Sequence, residues 1–277
     1  MKNKIFLINL ALFFTLSAIC QSTIKLNSDG DAIDLTIWSA GENPVATVLL
    51  VPGWGGGPKD VLGIGEALSK EGITVVTICP TGWHDSGGTF TFAKAFVDFR
   101  NTLNWIGHAA RPDINSSNII MGGHSWGGGM SLAYAAQDTA VRRIFSVAGT
   151  DHGIIIRKYL EDPQYAKMLD QSLATTEAPE GPINCSIKDG LQELIDGQRT
   201  YGLQENSARF ADRSILIIGG WEDGRTTIDE FLLPNYRAFK EAGAEDITFL
   251  TYHDNHGFGS VRKELHSDLA EWIKKRK

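Results

Sequence analysis

IIMGGHSWGGGMSLAYAA, residues 119–136, joins two hydrophobic patterns through a turn. Its first residues are continuously apolar and end in glycine, which reads as a short strand buried on both faces. From Met130 onward the apolar spacing is that of a helix. Between them stands Gly123-His124-Ser125-Trp126-Gly127, the pattern G-x-S-x-G. A serine between a strand and a helix at this spacing sits on a turn too tight for side chains two residues before or after it. The helix that follows aims its positive N-terminal end at the same point. Ser125 is therefore a candidate nucleophile. The plain alternative is a bystander serine in a glycine-rich turn, and the strand and helix on either side argue against it.

Working outward, the same kind of apolar run recurs in "VATVLLVPG", "ITVVTICP", "RRIFSVAG", "SILIIGG" and "DITFLTYHD". Helical spacing fills residues 61–70, 92–108, 130–137, 228–242 and 261–274. In the second of these, Phe92, Phe96, Phe99, Leu103 and Ile106 line one face, as core residues do. Strands alternating with helices predict an α/β fold with a mostly parallel sheet covered on both faces. Ahead of it, "TIKL" and "AIDLTIW" flank Ser28-Asp29-Gly30-Asp31, the signature of an antiparallel hairpin at the sheet edge. Residues 150–212 break the rhythm: they are polar, carry Pro163, Pro179 and Pro182, and contain helical patches without a strand. An insertion of that length predicts a cap or lid over the strand ends.

Composition narrows the partners. The 277 residues carry 26 Lys and Arg against 33 Asp and Glu, a formal charge of −7 without a basic block. Nucleic acid and anionic membrane surfaces are poor partners for such a chain, and a neutral small molecule fits better. Residues 1–20 combine Lys2 and Lys4 with an apolar run and Ala18-Ile19-Cys20 before Gln21, which predicts a secretory signal and an exported protein, in the periplasm or outside the cell. The run is too short for a stable membrane span, and Ile19 is a bulky neighbour for a lipid anchor at Cys20. Cys79 and Cys185 remain, with a disulfide between them left open by sequence.

A serine hydroxyl needs a base to take its proton and a carboxylate to orient that base. "SILIIGGWEDG" ends a strand with Glu222 and Asp223, and "DITFLTYHDNHGFG" ends the last strand with His253 and His256. The order Ser, acid, His suits a nucleophile on a strand-turn-helix elbow. On these residues the chain resembles the α/β-hydrolase superfamily across its whole length after residue 20. It is most similar to the dienelactone-hydrolase-like and feruloyl-esterase-like serine hydrolases and to the catalytic domains of prolyl-oligopeptidase type. The resemblance implies an eight-stranded sheet with a helical cap insertion, Ser125 as nucleophile, His256 as base and Asp223 as the carboxylate. His253 competes for the base, and Glu222 and Asp151 for the acid.

The negative oxygen of the transition state requires two backbone N–H donors already in place. Trp126, following the nucleophile, offers one. The other would come from "LLVPGWGGGPKD", which resembles the family's oxyanion segment with Trp54 as donor; Pro52 stands where a histidine is common. That glycine run is no phosphate loop, because Asp60 follows its lysine where Ser or Thr is required. Trp54, Trp83, Trp126 and Trp221 all fall at strand ends, where they either line the cleft or pack beneath the cap. Trp83, Trp221 and His84 are the candidate substrate contacts, His84 also being placed to tie down its own loop. The resemblance implies neither metal nor organic cofactor. It implies a small carboxylic ester as substrate, with a prolyl-oligopeptidase-type peptidase or amidase as the alternative. Only residues 21–44 precede the third strand, too few for the extra domain such peptidases carry. A non-catalytic binding protein on the same fold is the third reading.

Overall fold

The computed structural model describes residues 20–59 and 61–275; the signal-peptide reading, residues 1–20, lies outside them except for Cys20. Eight strands form one sheet: β1 (Cys20–Ser28), β2 (Asp31–Ser39), β3 (Ala46–Val51), β4 (Ile73–Cys79), β5 (Ile119–His124), β6 (Arg143–Val147), β7 (Ser214–Gly220) and β8 (Ile247–Tyr252). Their order across the sheet is β1-β2-β4-β3-β5-β6-β7-β8. Only β2 runs against its neighbours, and every pair from β4 to β8 is parallel. The predicted hairpin is thus the antiparallel edge. Its first strand is longer than "TIKL" alone and starts at Cys20.

Alternation along the strands divides the interior into two cores. In β3, Val48 and Leu50 face a core shared with α1 (Ile64–Lys70) and α9 (Arg262–Lys274), through Leu68, Leu265 and Leu269. Leu49 and Val51 face the opposite core with α2 (Phe92–His108) and α3 (Trp126–Gln137), through Phe99 and Met130. Each face buries a continuous apolar surface, the dominant stabilising term for such a layered domain.

Helix boundaries shift from the spacing for local reasons. Leu62 and Gly63 take positive φ, so the first helix begins at Ile64 and not at residue 61. The segment 228–242 divides into a π-helical turn, Ile228–Leu232, and α8, Leu233–Glu241, because Pro234 has no N–H to continue one ladder.

Between β6 and β7 the chain forms α4 (His152–Glu161), α5 (Pro163–Ala174), α6 (Ile187–Asp196), α7 (Gln198–Tyr201) and a 3-10 turn, Ser207–Phe210. This helical insertion is stitched to the sheet edge. The Glu193 carboxylate on α6 accepts from the N–H groups of Phe92 and Ala93 at 2.7 and 2.6 Å, so it caps the positive end of α2. Trp54 Nε1 donates to Thr176 Oγ1 at 2.8 Å. Cys79 and Cys185 are both free thiols.

Candidate active site

At the end of β5 the chain reverses into α3 through Ser125, whose φ of 55° and ψ of −121° are strained for a residue with a side chain. The surroundings enforce that geometry. Ser125 N donates to Val147 O at 2.9 Å, and Ser125 O accepts from Gly129 N and Thr150 N, both at 3.1 Å. A Cβ at Gly127 would lie 2.2 Å from Val51 O, and one at Gly123 would lie 2.5 Å from the same oxygen. The glycines therefore let the elbow press against the end of β3. Ser125 Oγ forms no hydrogen bond among the described residues.

Two strands away, the turn after β7 buries the Asp223 side chain completely. Its Oδ1 accepts from Arg225 N at 2.8 Å and Thr226 N at 3.1 Å. Its Oδ2 accepts from Thr226 Oγ1 at 2.8 Å and from His256 Nδ1 at 2.7 Å. Burial pushes the carboxyl's pKa up, but the hydrogen bond and charge of His256 and the two N–H groups outweigh it and hold it below the usual range. An ionised carboxylate only accepts, so Nδ1 of His256 carries a proton, and Nε2 is the ring nitrogen left free of Asp223. Backbone bonds from Trp221 N to Tyr252 O and from Glu222 N to Asp254 O, 2.9 and 3.0 Å, lock the two loops in register.

His124 joins this pair to the elbow. Its Nε2 lies 2.9 Å from His256 O, and a carbonyl can only accept, so His124 donates. The two imidazoles stand 4.7 Å apart between centroids. Burial, with the neighbouring His256, lowers the pKa of His124 to about 4 and keeps it uncharged.

The N–H groups of Trp54 and Trp126 donate to no other group among the described residues. The side chains of both, with Ser125, line a cavity of about 130 Å³. Phe90 and Phe92 supply further wall, and Leu169, Leu173 and Leu191 from the helical insertion close it. The lining is overwhelmingly apolar.

Residues 46–180 match a family model described as alpha/beta hydrolase fold. No curated protein matches the sequence. Among solved structures, the chain is similar to Est1E from Butyrivibrio proteoclasticus at 14% identity, TM-score 0.64, covering 91% of this chain and 97% of that one. It is also similar to the esterase Pf2001 from Pyrococcus furiosus (14%, TM-score 0.68, 92% and 91%). Alpha/beta hydrolase GrgF from Penicillium sp. sh18 aligns at 18%, TM-score 0.66, over 92% and 98%. The chain has the α/β-hydrolase fold.

Within that fold the structure separates the competing residues. His253 and Glu222 pair with each other, Nδ1 to Oε1 at 3.4 Å, both on the surface. Asp151 caps α4, its Oδ1 accepting from Gly153 N at 2.8 Å and Ile154 N at 3.3 Å, and also from Leu203 N. Among the described residues, none of the three side chains forms a hydrogen bond with His256.

The expected substrate contacts fare differently. Trp83 is 0% exposed and packs under Trp54 and Trp126, at 5.5 and 4.8 Å between centroids, so it underlies the wall and offers no surface to a ligand. Trp221 is 53% exposed and lies outside the cavity lining, because the turn after β7 points it to solvent. His84 also lies outside that lining; its Nε2, 3.1 Å from Gly55 O, ties the Trp83 loop to the glycine run. Phe90 ends the segment "TGWHDSGGTF", which the sequence places as one wall of the cleft, and it does line the cavity, whereas Thr150, His152 and Thr226 escape the sequence reading. Thr226 was findable, since a hydroxyl three residues after an aspartate turns back onto it. Phe92, on the core-facing stripe of α2, serves both core and cavity.

Proposed function

We propose that the protein is an exported serine hydrolase that cleaves a small carboxylic ester through an acyl-enzyme. The observation that carries this reading is the 2.7 Å bond from His256 to Asp223 at the sheet edge where the strained Ser125 emerges, beside an apolar cavity. His256 Nε2 takes the proton of Ser125 Oγ as that oxygen attacks the ester carbonyl. The resulting oxyanion accepts hydrogen bonds from Trp54 N and Trp126 N. Collapse passes the proton from His256 to the departing alcohol, and water, activated by the same ring, then releases the acid and restores the serine. The helical insertion acts as a cap that excludes water from the cavity. The similarity to the esterase Pf2001, and to Est1E, which has a structure with ferulic acid bound, favours an ester over an amide. Export rests on residues 1–20, and an intact mass lacking them checks it.

Ser125→Ala should abolish turnover of a short 4-nitrophenyl ester, by at least about 10⁴-fold, with circular dichroism unchanged. Activity within a few fold of wild type would overturn the assignment. A fluorophosphonate probe should label the wild-type serine and leave the variant untouched.

A further inference from the structure

The cavity beside Ser125 is mostly apolar; its polar wall is made by Thr150 and His152 on the segment that follows β6, by Cys185 and Ser186 at the start of α6, and by Trp126, whose Nε1 is buried without a partner. His152 opens α4 and is 3% exposed, its ring standing edge-on to Phe92 with centroids 5.5 Å apart. Its Nδ1 is buried without a partner, and Nε2 enters no hydrogen bond among the described residues. Burial lowers its pKa to about 4, so the ring is neutral at ordinary pH and carries one N–H donor and one lone pair. Leaving both unmet is costly, and phenylalanine would fill the same space without that cost. No contact among the described residues accounts for an imidazole here, whereas a ligand in the cavity would.

We propose that His152 is a specificity-determining residue that hydrogen-bonds a hydroxyl on the otherwise apolar half of the substrate filling this cavity, so that hydroxylated esters are preferred to their unsubstituted parents. This rests on the ester-hydrolase reading above. A hydroxyl both donates and accepts, so it satisfies either tautomer of the ring. An ether or ketone oxygen satisfies only one, and a charged group would be stripped of water among Trp54, Phe92 and Leu191. A site built to bond a hydroxyl discriminates against the analogue lacking it, because the buried partner is then left unpaired.

The test compares kcat/KM within matched pairs. For the acyl half these are 4-nitrophenyl hexanoate, octanoate and phenylacetate against the 6-hydroxy, 8-hydroxy and 3-hydroxy acyl counterparts. For the alcohol half they are benzyl and hexyl acetate against 3-hydroxybenzyl and 6-hydroxyhexyl acetate. Wild type should favour the hydroxylated member of at least one pair by at least about tenfold, and the half in which the preference appears identifies the half that the cavity holds. In His152→Phe the ratio should fall to within about twofold of unity, while His152→Asn, which still donates and accepts, should keep part of it. A thermal melt of His152→Phe no lower than wild type keeps the ratio interpretable. Absence of any preference in wild type, or its survival in His152→Phe, overturns the proposal. If the parent esters are hydrolysed in a Ser125-dependent manner without a preference, only the role of His152 falls. If no ester turns over and the fluorophosphonate leaves Ser125 unlabelled, the hydrolase reading falls with it.

Discussion

Asp223 and Glu222 are adjacent carboxylates, and the backbone alone sends them to different places. The bond from Glu222 N to Asp254 O leaves the Glu222 side chain on the surface beside His253, while the next residue turns inward onto His256. The apolar pattern brings both acids to the end of one strand without separating them, since a one-residue difference reverses direction there; only the family resemblance implied Asp223. The same limit explains the tryptophans: their positions at strand ends were legible, but the depth of Trp83 and the outward turn of Trp221 depend on packing between distant segments. If Asp223 fixes the imidazole tautomer, Asp223→Asn should lower kcat/KM by roughly 10⁴-fold, the scale seen when a serine protease loses this carboxylate, since an amide can donate toward Nδ1 and reverse its role. Far-ultraviolet circular dichroism should be unchanged. A loss of only a few fold would show that another group orients the ring.

Among the elements, the strands were legible because burial on both faces leaves nearly unbroken apolar runs such as "SILIIGG". The start of α3 was not: Gly127, Gly128 and Gly129 have poor helix propensity and read as turn, yet they form its first turns because nothing larger fits. A Cβ at Gly127 meets Val51 O at 2.2 Å and Pro52 O at 2.4 Å, both backbone atoms that cannot swing aside. Gly127→Ala should therefore cost about 2 kcal/mol or more and displace Ser125, lowering kcat/KM by at least about tenfold. Gly107 in α2 supplies the contrast, for its Cβ would meet only Ile119 Cδ1 at 3.9 Å. Gly107→Ala should be neutral or stabilise by up to about 1 kcal/mol. Urea melts of the two variants, read with ester turnover, check both. Equal effects would mean that the elbow has slack the distances do not show.

For the whole molecule, the buried imidazoles link stability to pH. His124 and His152 both have pKa values held down at about 4 by burial, against 6.5 for an exposed ring. As pH falls from about 6.5 toward 4 the unfolded chain takes up protons that the folded chain refuses, so their contribution is full above about 6.5 and is lost through that window. From pH 7 to 5 each ring costs on the order of 2 kcal/mol, a large share of a typical net stability of about 5–15 kcal/mol. Asp98 and Asp151 pull the other way at the acid end, because burial raises their carboxyl pKa values and the folded state gains their protons first. Asp223, held low, stays ionised through the window and does not offset the loss. Urea melts at pH 7 and pH 5 should thus show wild type losing several kcal/mol. His266, also lowered by burial, adds to the loss in the same direction, and His152→Phe, which removes one of these rings without opening a cavity, should lose about 2 kcal/mol less over the same interval. An unchanged difference between the two pH values would mean that His152 takes up its proton inside the folded protein and that burial does not hold its pKa down.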